Sequence, residues 1–154
     1  MSIVVDIQTI SIMLASASVI AGVVYYALQI RHQTKMRQTD VITRLYSIAI
    51  SKEWVEAWVK FEDREITDFR TYKKEYGFVE LNQVVNYFEE LGMLLHRKLL
   101  DAGLIDDLWH GQVQVVWKKL EPMVKEARKE WNLPRLCAMT EYPYNEMKKR
   151  EQRQ

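Results

Sequence analysis

Cysteine occurs once, at Cys137. A single thiol excludes an intramolecular disulfide framework and a cysteine-rich zinc site, and it suits a reducing compartment. The five glycines stand alone at positions 22, 77, 92, 103 and 111, so there is no glycine-rich loop to cradle a phosphate. Basic residues are missing from the front of the chain, where no Lys or Arg precedes Arg31, and no charge of either sign lies between Ile7 and Ile30. No run alternates at period 2 for long enough to make a strand. The three histidines are His32, His96 and His110, and none has an arginine four to six residues upstream. That argues against the helical ribonucleases that pair Arg and His at this spacing.

What is present points to helices. The chain has 154 residues, 48% of them apolar and 28% charged, which is the balance of a globular domain with an appendage. The net charge of +1 hides an uneven distribution. Lys and Arg against Asp and Glu number 4 and 2 over residues 1–50, 8 and 13 over 51–110, and 10 and 6 over 111–154. An acidic middle between basic ends suits contacts between copies, or contact with anionic lipid, better than a nucleic-acid platform. No nucleic-acid partner is expected.

The uncharged run of 24 residues from Ile7 to Ile30 is long enough for a transmembrane helix. Tyr25 and Tyr26 stand where an aromatic belt belongs, and Arg31, His32, Lys35 and Arg37 follow as a headgroup-level anchor. The basic flank predicts a single-pass protein of the cell (inner or plasma) membrane, with residues 1–6 outside and the domain in the cytoplasm. Two alternatives stay open. Ala15-Ser16-Ala17 resembles a signal-peptide cleavage site, although no positive n-region precedes it. The run is also compatible with a core helix of a soluble bundle, given its Ser and Gln content. At 100° per residue Gln8, Ser11, Ala15, Ser18, Gly22 and Gln29 share one small, polar face, with Ser18-x-x-x-Gly22 at its centre. In lipid such a face packs against another helix by close backbone approach.

The chain is divided by its periodicity into a short external N-terminus (1–6), a transmembrane helix (7–30), a juxtamembrane helix (31–50), a helical bundle (51–142) and a charged tail (143–154). Val41, Ile42, Leu45, Ile48 and Ala49 continue the helix beyond the membrane. Ser51 is the expected N-cap of a segment carrying Trp54, Ala57, Trp58 and Phe61. Thr67 is the expected cap of a short helix with Phe69, Tyr72 and Tyr76, closed by Gly77. Leu81, Val84, Val85, Phe88, Gly92, Leu95 and Leu99 share one face, opposite Asn82, Asn86, Glu90, Met93 and Arg97. Asp101-Ala-Gly103 is expected to end that helix and Asp106 to cap the next, whose stripe runs from Trp109 to Trp131 with Pro122 as a kink. Phe88, Gly92, Trp109 and Pro122 are the expected helix-packing positions. Asn132-Leu-Pro134 opens a last segment with Leu136, Cys137 and Met139, which Pro143 should stop near Tyr142.

Chemistry is sparse. Asp107-x-x-His110 with Glu89-Glu90 on the preceding helix could hold a metal, but the repeated Glu-x-x-His of a dinuclear site is missing. Cys137 falls on an apolar stripe and reads as a structural thiol. Trp54, Trp58, Trp109 and Trp131 fall on apolar stripes and read as core. No enzyme activity, cofactor, metal or small-molecule substrate is expected.

The stretches YYALQIRHQTKMRQ, NYFEELGMLLHRKLLD and LWHGQVQVVWKKLEPMV together resemble a family of small prokaryotic single-pass membrane proteins of unknown function. The resemblance covers residues 15–130, most specifically Leu28 to Arg37, Asn86 to Asp101 and Leu108 to Pro122, and the tail after Pro134 departs from it. It implies a span followed by a cytoplasmic helical domain and lends no catalytic residues. In architecture the chain is also similar to a CRISPR-associated membrane accessory protein that assembles as a pore-like oligomer. The expected role is a homo-oligomeric membrane protein, pore-like or scaffolding, with an accessory subunit of a larger membrane complex as the alternative.

Overall fold

The computed structural model describes residues 6–66 and 68–153. It is all-α among those residues, with helices α1 (Ile7–Ala49), α2 (Lys52–Asp63), α3 (Phe69–Tyr76), α4 (Val79–His96), α5 (Ala102–Glu130) and α6 (Ala138–Glu151). The chain falls into two units, Met1–Thr43 and Arg44–Gln154. The first is the apolar part of α1 with its basic extension. The second is the bundle, which includes the last turns of α1.

Within the bundle, α4 is the central element and packs on α2 and on α6, while α6 also packs on α5. Its buried face carries Leu81, Val84, Tyr87, Phe88, Leu91, Gly92 and Leu95. The buried stripe of α5 runs from Ile105 through Trp109, Val113, Val116 and Leu120 to Ala127. Tyr87 donates its hydroxyl to the Leu45 carbonyl at 3.1 Å, which ties the end of α1 to α4. Burial pushes that phenol well above its ordinary pKa, so it stays a donor. Trp54 stacks on Trp58 with ring centroids 5.3 Å apart and meets Tyr87 at 5.1 Å.

The helix boundaries follow local chemistry, with four departures from expectation. Ser51 caps α2 by accepting from Trp54 N–H at 3.2 Å, as expected, and Gly77 closes α3 at φ 75°. Thr67 lies outside the described residues; the carboxylate that caps α3 is Asp68, which accepts from the Arg70 and Thr71 amides at 2.9 Å. Asp101 does not end α4, which stops at His96; it caps α5, accepting from Gly103 N–H at 2.8 Å. Asp106 therefore lies inside α5. Pro143 does not stop the last helix, which runs on to Glu151 with Pro143, Tyr144 and Met147 buried. The reason lies on α4: the Met139 carbonyl, which Pro143 has no N–H to satisfy, rests against Gly92. Residues 143–151 are thus part of the bundle rather than a tail.

Polar groups hold the bundle's edges. Glu89 of α4 accepts from Thr140 N–H at 2.7 Å and from its hydroxyl at 2.9 Å, capping α6 from a neighbouring helix. Cys137, at the N-cap position, has φ 52° and no capping bond of its own. Glu80, in the first turn of α4, takes Lys60 at 2.8 Å and Arg64 at 3.3 Å from the end of α2. The Lys60 hydrogen bond, then its own helix amide and Arg64, hold its carboxyl down at about 2 from an ordinary 4.5. A carboxylate with a depressed folded-state pKa stabilises above its unfolded value and loses that contribution as pH falls through the folded one. Glu80→Gln should therefore cost about 1 kcal/mol at neutral pH, a modest figure for partly solvated pairs. The gap between wild type and variant should close as pH drops from about 5 to about 2, read as converging thermal midpoints.

Candidate functional site

Two surfaces are candidates, one in each unit. In the first unit, α1 is the one described helix long and apolar enough to cross a membrane, with a mean hydropathy of 1.9 over its most apolar window, none of it buried. Its 24 uncharged residues extend about 36 Å at 1.5 Å each, somewhat more than the hydrocarbon layer. Ile7, Leu14, Val19, Ile20, Val23 and Leu28 are all more than half exposed. By length and composition the helix can span a membrane, a test that a signal sequence or the core helix of a soluble protein also passes.

The residues predicted to form the packing face lie on the surface of α1. Gln8, Ser11, Ala15, Ser18, Gly22 and Gln29 are all exposed, and a Cβ added at Gly22 would meet nothing within 4 Å. Val19, Gly22, Val23, Tyr26, Ala27 and Ile30 line a shallow groove beside this face, with Gly22 the residue common to both. The serines are less polar than their identity suggests. Ser11 donates to the Ile7 carbonyl at 2.9 Å and Ser18 to the Leu14 carbonyl at 2.8 Å, one turn back in the same helix. Their donors are spent internally, which lowers the cost of burying either hydroxyl in an apolar medium. Tyr25, Tyr26, Arg31, Lys35 and Arg37 follow, all exposed, in the order an interface anchor requires.

In the second unit, the predicted helix-packing residues split. Phe88 and Trp109 are buried, at 1% and 3% exposure, and Gly92 is buried against the α6 backbone. Pro122 instead faces solvent on α5, which continues through it. Pro122 forgoes the amide bond to the Lys118 carbonyl, and both residues lie on the exposed side of α5.

The expected chemistry is dispersed. His110 pairs with Asp106, not Asp107, at 2.7 Å, with Glu151 at 3.6 Å from its other ring nitrogen. Arg150 reaches Asp106 at 3.7 Å, which makes this a charged seam between α5 and α6. Among the described residues no three His, Cys, Asp or Glu side chains come together as metal ligands. Burial, with the Glu89 charge adding to it, pushes the Cys137 thiol up to about 11. It is protonated at neutral pH, and a protonated thiol is a poor nucleophile.

A feature that sequence periodicity did not single out is an open cavity of about 350 Å³ lined by α3, α4, α5 and the connection to α6. Leu81, Val85, Met123 and Trp131 supply much of its apolar wall, and Asn82, Asn86 and Glu89 supply polar groups along α4. Asn82 and Asn86, which periodicity puts opposite the apolar stripe, are exposed and lie one turn apart on the rim of this space. A second hollow of about 260 Å³ adjoins it through Phe69, Met123 and Ala127, and its rim carries Asp68, Glu126, Glu130 and Arg70.

No curated protein and no solved structure matches the chain, so the architectural likeness to a CRISPR-associated accessory protein gains no support. Residues 12–147 match a family described as a domain of unknown function (DUF4760), from within α1 to the last buried residue of α6. The match takes in most of the apolar run and nearly all of the bundle together, and the chain belongs to that family.

Proposed function

We propose that this protein is a single-pass membrane protein that associates with copies of itself through the Ser18/Gly22 face of α1, with the helical domain on the cytoplasmic side. One observation carries the reading: a helix with 24 uncharged residues whose apolar side chains are exposed and whose small face meets a shallow groove at Gly22. Lipid satisfies the apolar side chains, and a second helix fills the groove, because a glycine surface gains from close backbone approach where lipid chains pack poorly. The orientation rests on Arg31, Lys35 and Arg37 following the run directly. The role is association rather than turnover, as a scaffold or around an opening lined by Gln8, Ser11, Ser18 and Gln29. Such an opening would be uncharged and weakly selective.

The mass of the purified full chain in detergent tests this. Wild type should run as an oligomer and Gly22→Leu, whose side chain fills the groove, should shift it toward monomer. A monomer in both overturns the reading. A stoichiometric foreign protein that co-purifies and is lost with Gly22→Leu would instead make the same face the dock of an accessory subunit.

A further inference from the structure

We propose that the cavity between α3, α4 and α5 is a binding site for a small organic cation, an apolar body carrying one ammonium group. The site is separate from the face on which self-association is proposed, and it lies wholly within the bundle.

Size and lining come first. At about 350 Å³ the cavity falls within the range of pockets that bury small molecules, and apolar side chains with a few polar groups dominate its walls. Asparagine is a poor helix former, yet α4 carries two of them one turn apart on the cavity's edge. Both side chains are exposed at that edge. Their amide carbonyls can accept from a ligand N–H.

Charge decides the class. Glu89 is the one charged residue lining the main cavity. One of its oxygens takes both bonds from Thr140, and the other is left for a ligand. The adjoining hollow sets three acids, Asp68, Glu126 and Glu130, against one base, Arg70, which is itself paired with Glu130. No lysine or histidine lines either space. An anion would enter against this field without a cation to meet it, whereas an ammonium gains Glu89, two amide carbonyls and the rings of Phe69 and Trp131.

A matched set of indoles separates the alternatives: tryptamine as the cation, 3-methylindole as the neutral body and indole-3-propionate as the anion. The full chain in detergent, carrying 13C-methyl methionine, provides the readout, because Met123 lines the cavity while Met13 and Met36 lie on α1. Tryptamine should move the Met123 methyl signal saturably at or below roughly 1 mM, the weak end of specific binding. The neutral compound should bind at least tenfold more weakly and the anion not at all. Glu89→Gln keeps an oxygen for Thr140 and removes the charge; it should weaken tryptamine about tenfold, as should Asn86→Leu. An unmoved Met123 signal, equal responses to all three compounds, shifts confined to Met13 and Met36, or unchanged binding in both variants would each overturn the site.

Discussion

Gly92→Ala should lose about 4 kcal/mol of bundle stability, above the usual 1–3 kcal/mol for an added methyl in a packed core. A Cβ at position 92 would lie 1.7 Å from the Met139 carbonyl oxygen, 2.6 Å from its carbon and 3.0 Å from Pro143 Cδ. Ordinary carbon–oxygen contact needs about 3.3 Å, so α4 and α6 would have to part by roughly 1.5 Å. Backbone cannot swing aside as a flexible side chain would. Parting the two helices would open the packing around Leu91, Leu95, Tyr144 and Met147, all buried here. Alanine's gain of up to about 1 kcal/mol in helix propensity is too small to offset this. The control is Gly111→Ala on the exposed side of α5, where an added Cβ meets nothing within 4 Å. The same substitution there should gain about 0.5–1 kcal/mol. Denaturant titration followed by tryptophan fluorescence reads both, since the five tryptophans all lie in the bundle. Gly92→Ala with wild-type stability would mean that α6 does not rest on α4 at this residue.

The same contact shows how far the amino-acid order can be read. The stripes of α2, α4 and α5 were legible because burial imposes a 3.6-residue period that apolar identities report directly. Ser51 and Gly77 were legible because the capping group is local, within three residues of what it caps. The departures share one cause, which is that the partner is distant in sequence. Pro143 looks like a stop until α4 supplies a glycine to receive the carbonyl it frees. The start of α6 has no local cap because Glu89, 51 residues away, does that work. Asp101 and Asp106 both have the chemistry of an N-cap, and the choice between them depends on where α4 ends, at His96. On α1 the reverse holds. Nothing among the described residues buries its apolar run, so the candidate face there rests on helical periodicity alone. Only the internal satisfaction of Ser11 and Ser18 altered the reading, because their donors are spent within the helix.

Lys119→Met should cost about 3 kcal/mol, the second large effect, although periodicity gives this residue no special place. Lys119 rises from α5 and its ammonium donates to the Phe61 and Arg64 carbonyls at 2.9 Å and to the Glu62 carbonyl between them. These lie at the end of α2, where the last carbonyls have no partner in their own helix and the dipole is negative. The Phe61 ring lies under the ammonium at 5.3 Å. Burial lowers the Lys119 pKa and the nearby Glu62, Asp63 and Glu65 oppose that shift. The desolvation cost is set against three charge-assisted bonds. Each contributes about 1 kcal/mol net, with some tenths more from the dipole, so the bonds win. Methionine keeps most of the apolar stem, so the loss isolates the ammonium from its packing. Lys119→Arg should recover only part of it, because a planar fork cannot donate to three carbonyls converging on one point. Hydrogen exchange locates the effect. In Lys119→Met the amides of α2 should lose protection well beyond those of α5, because α2 loses its anchor while α5 keeps its buried stripe. Uniform loss across the bundle, or none in α2, would show that the ammonium does not secure the end of that helix.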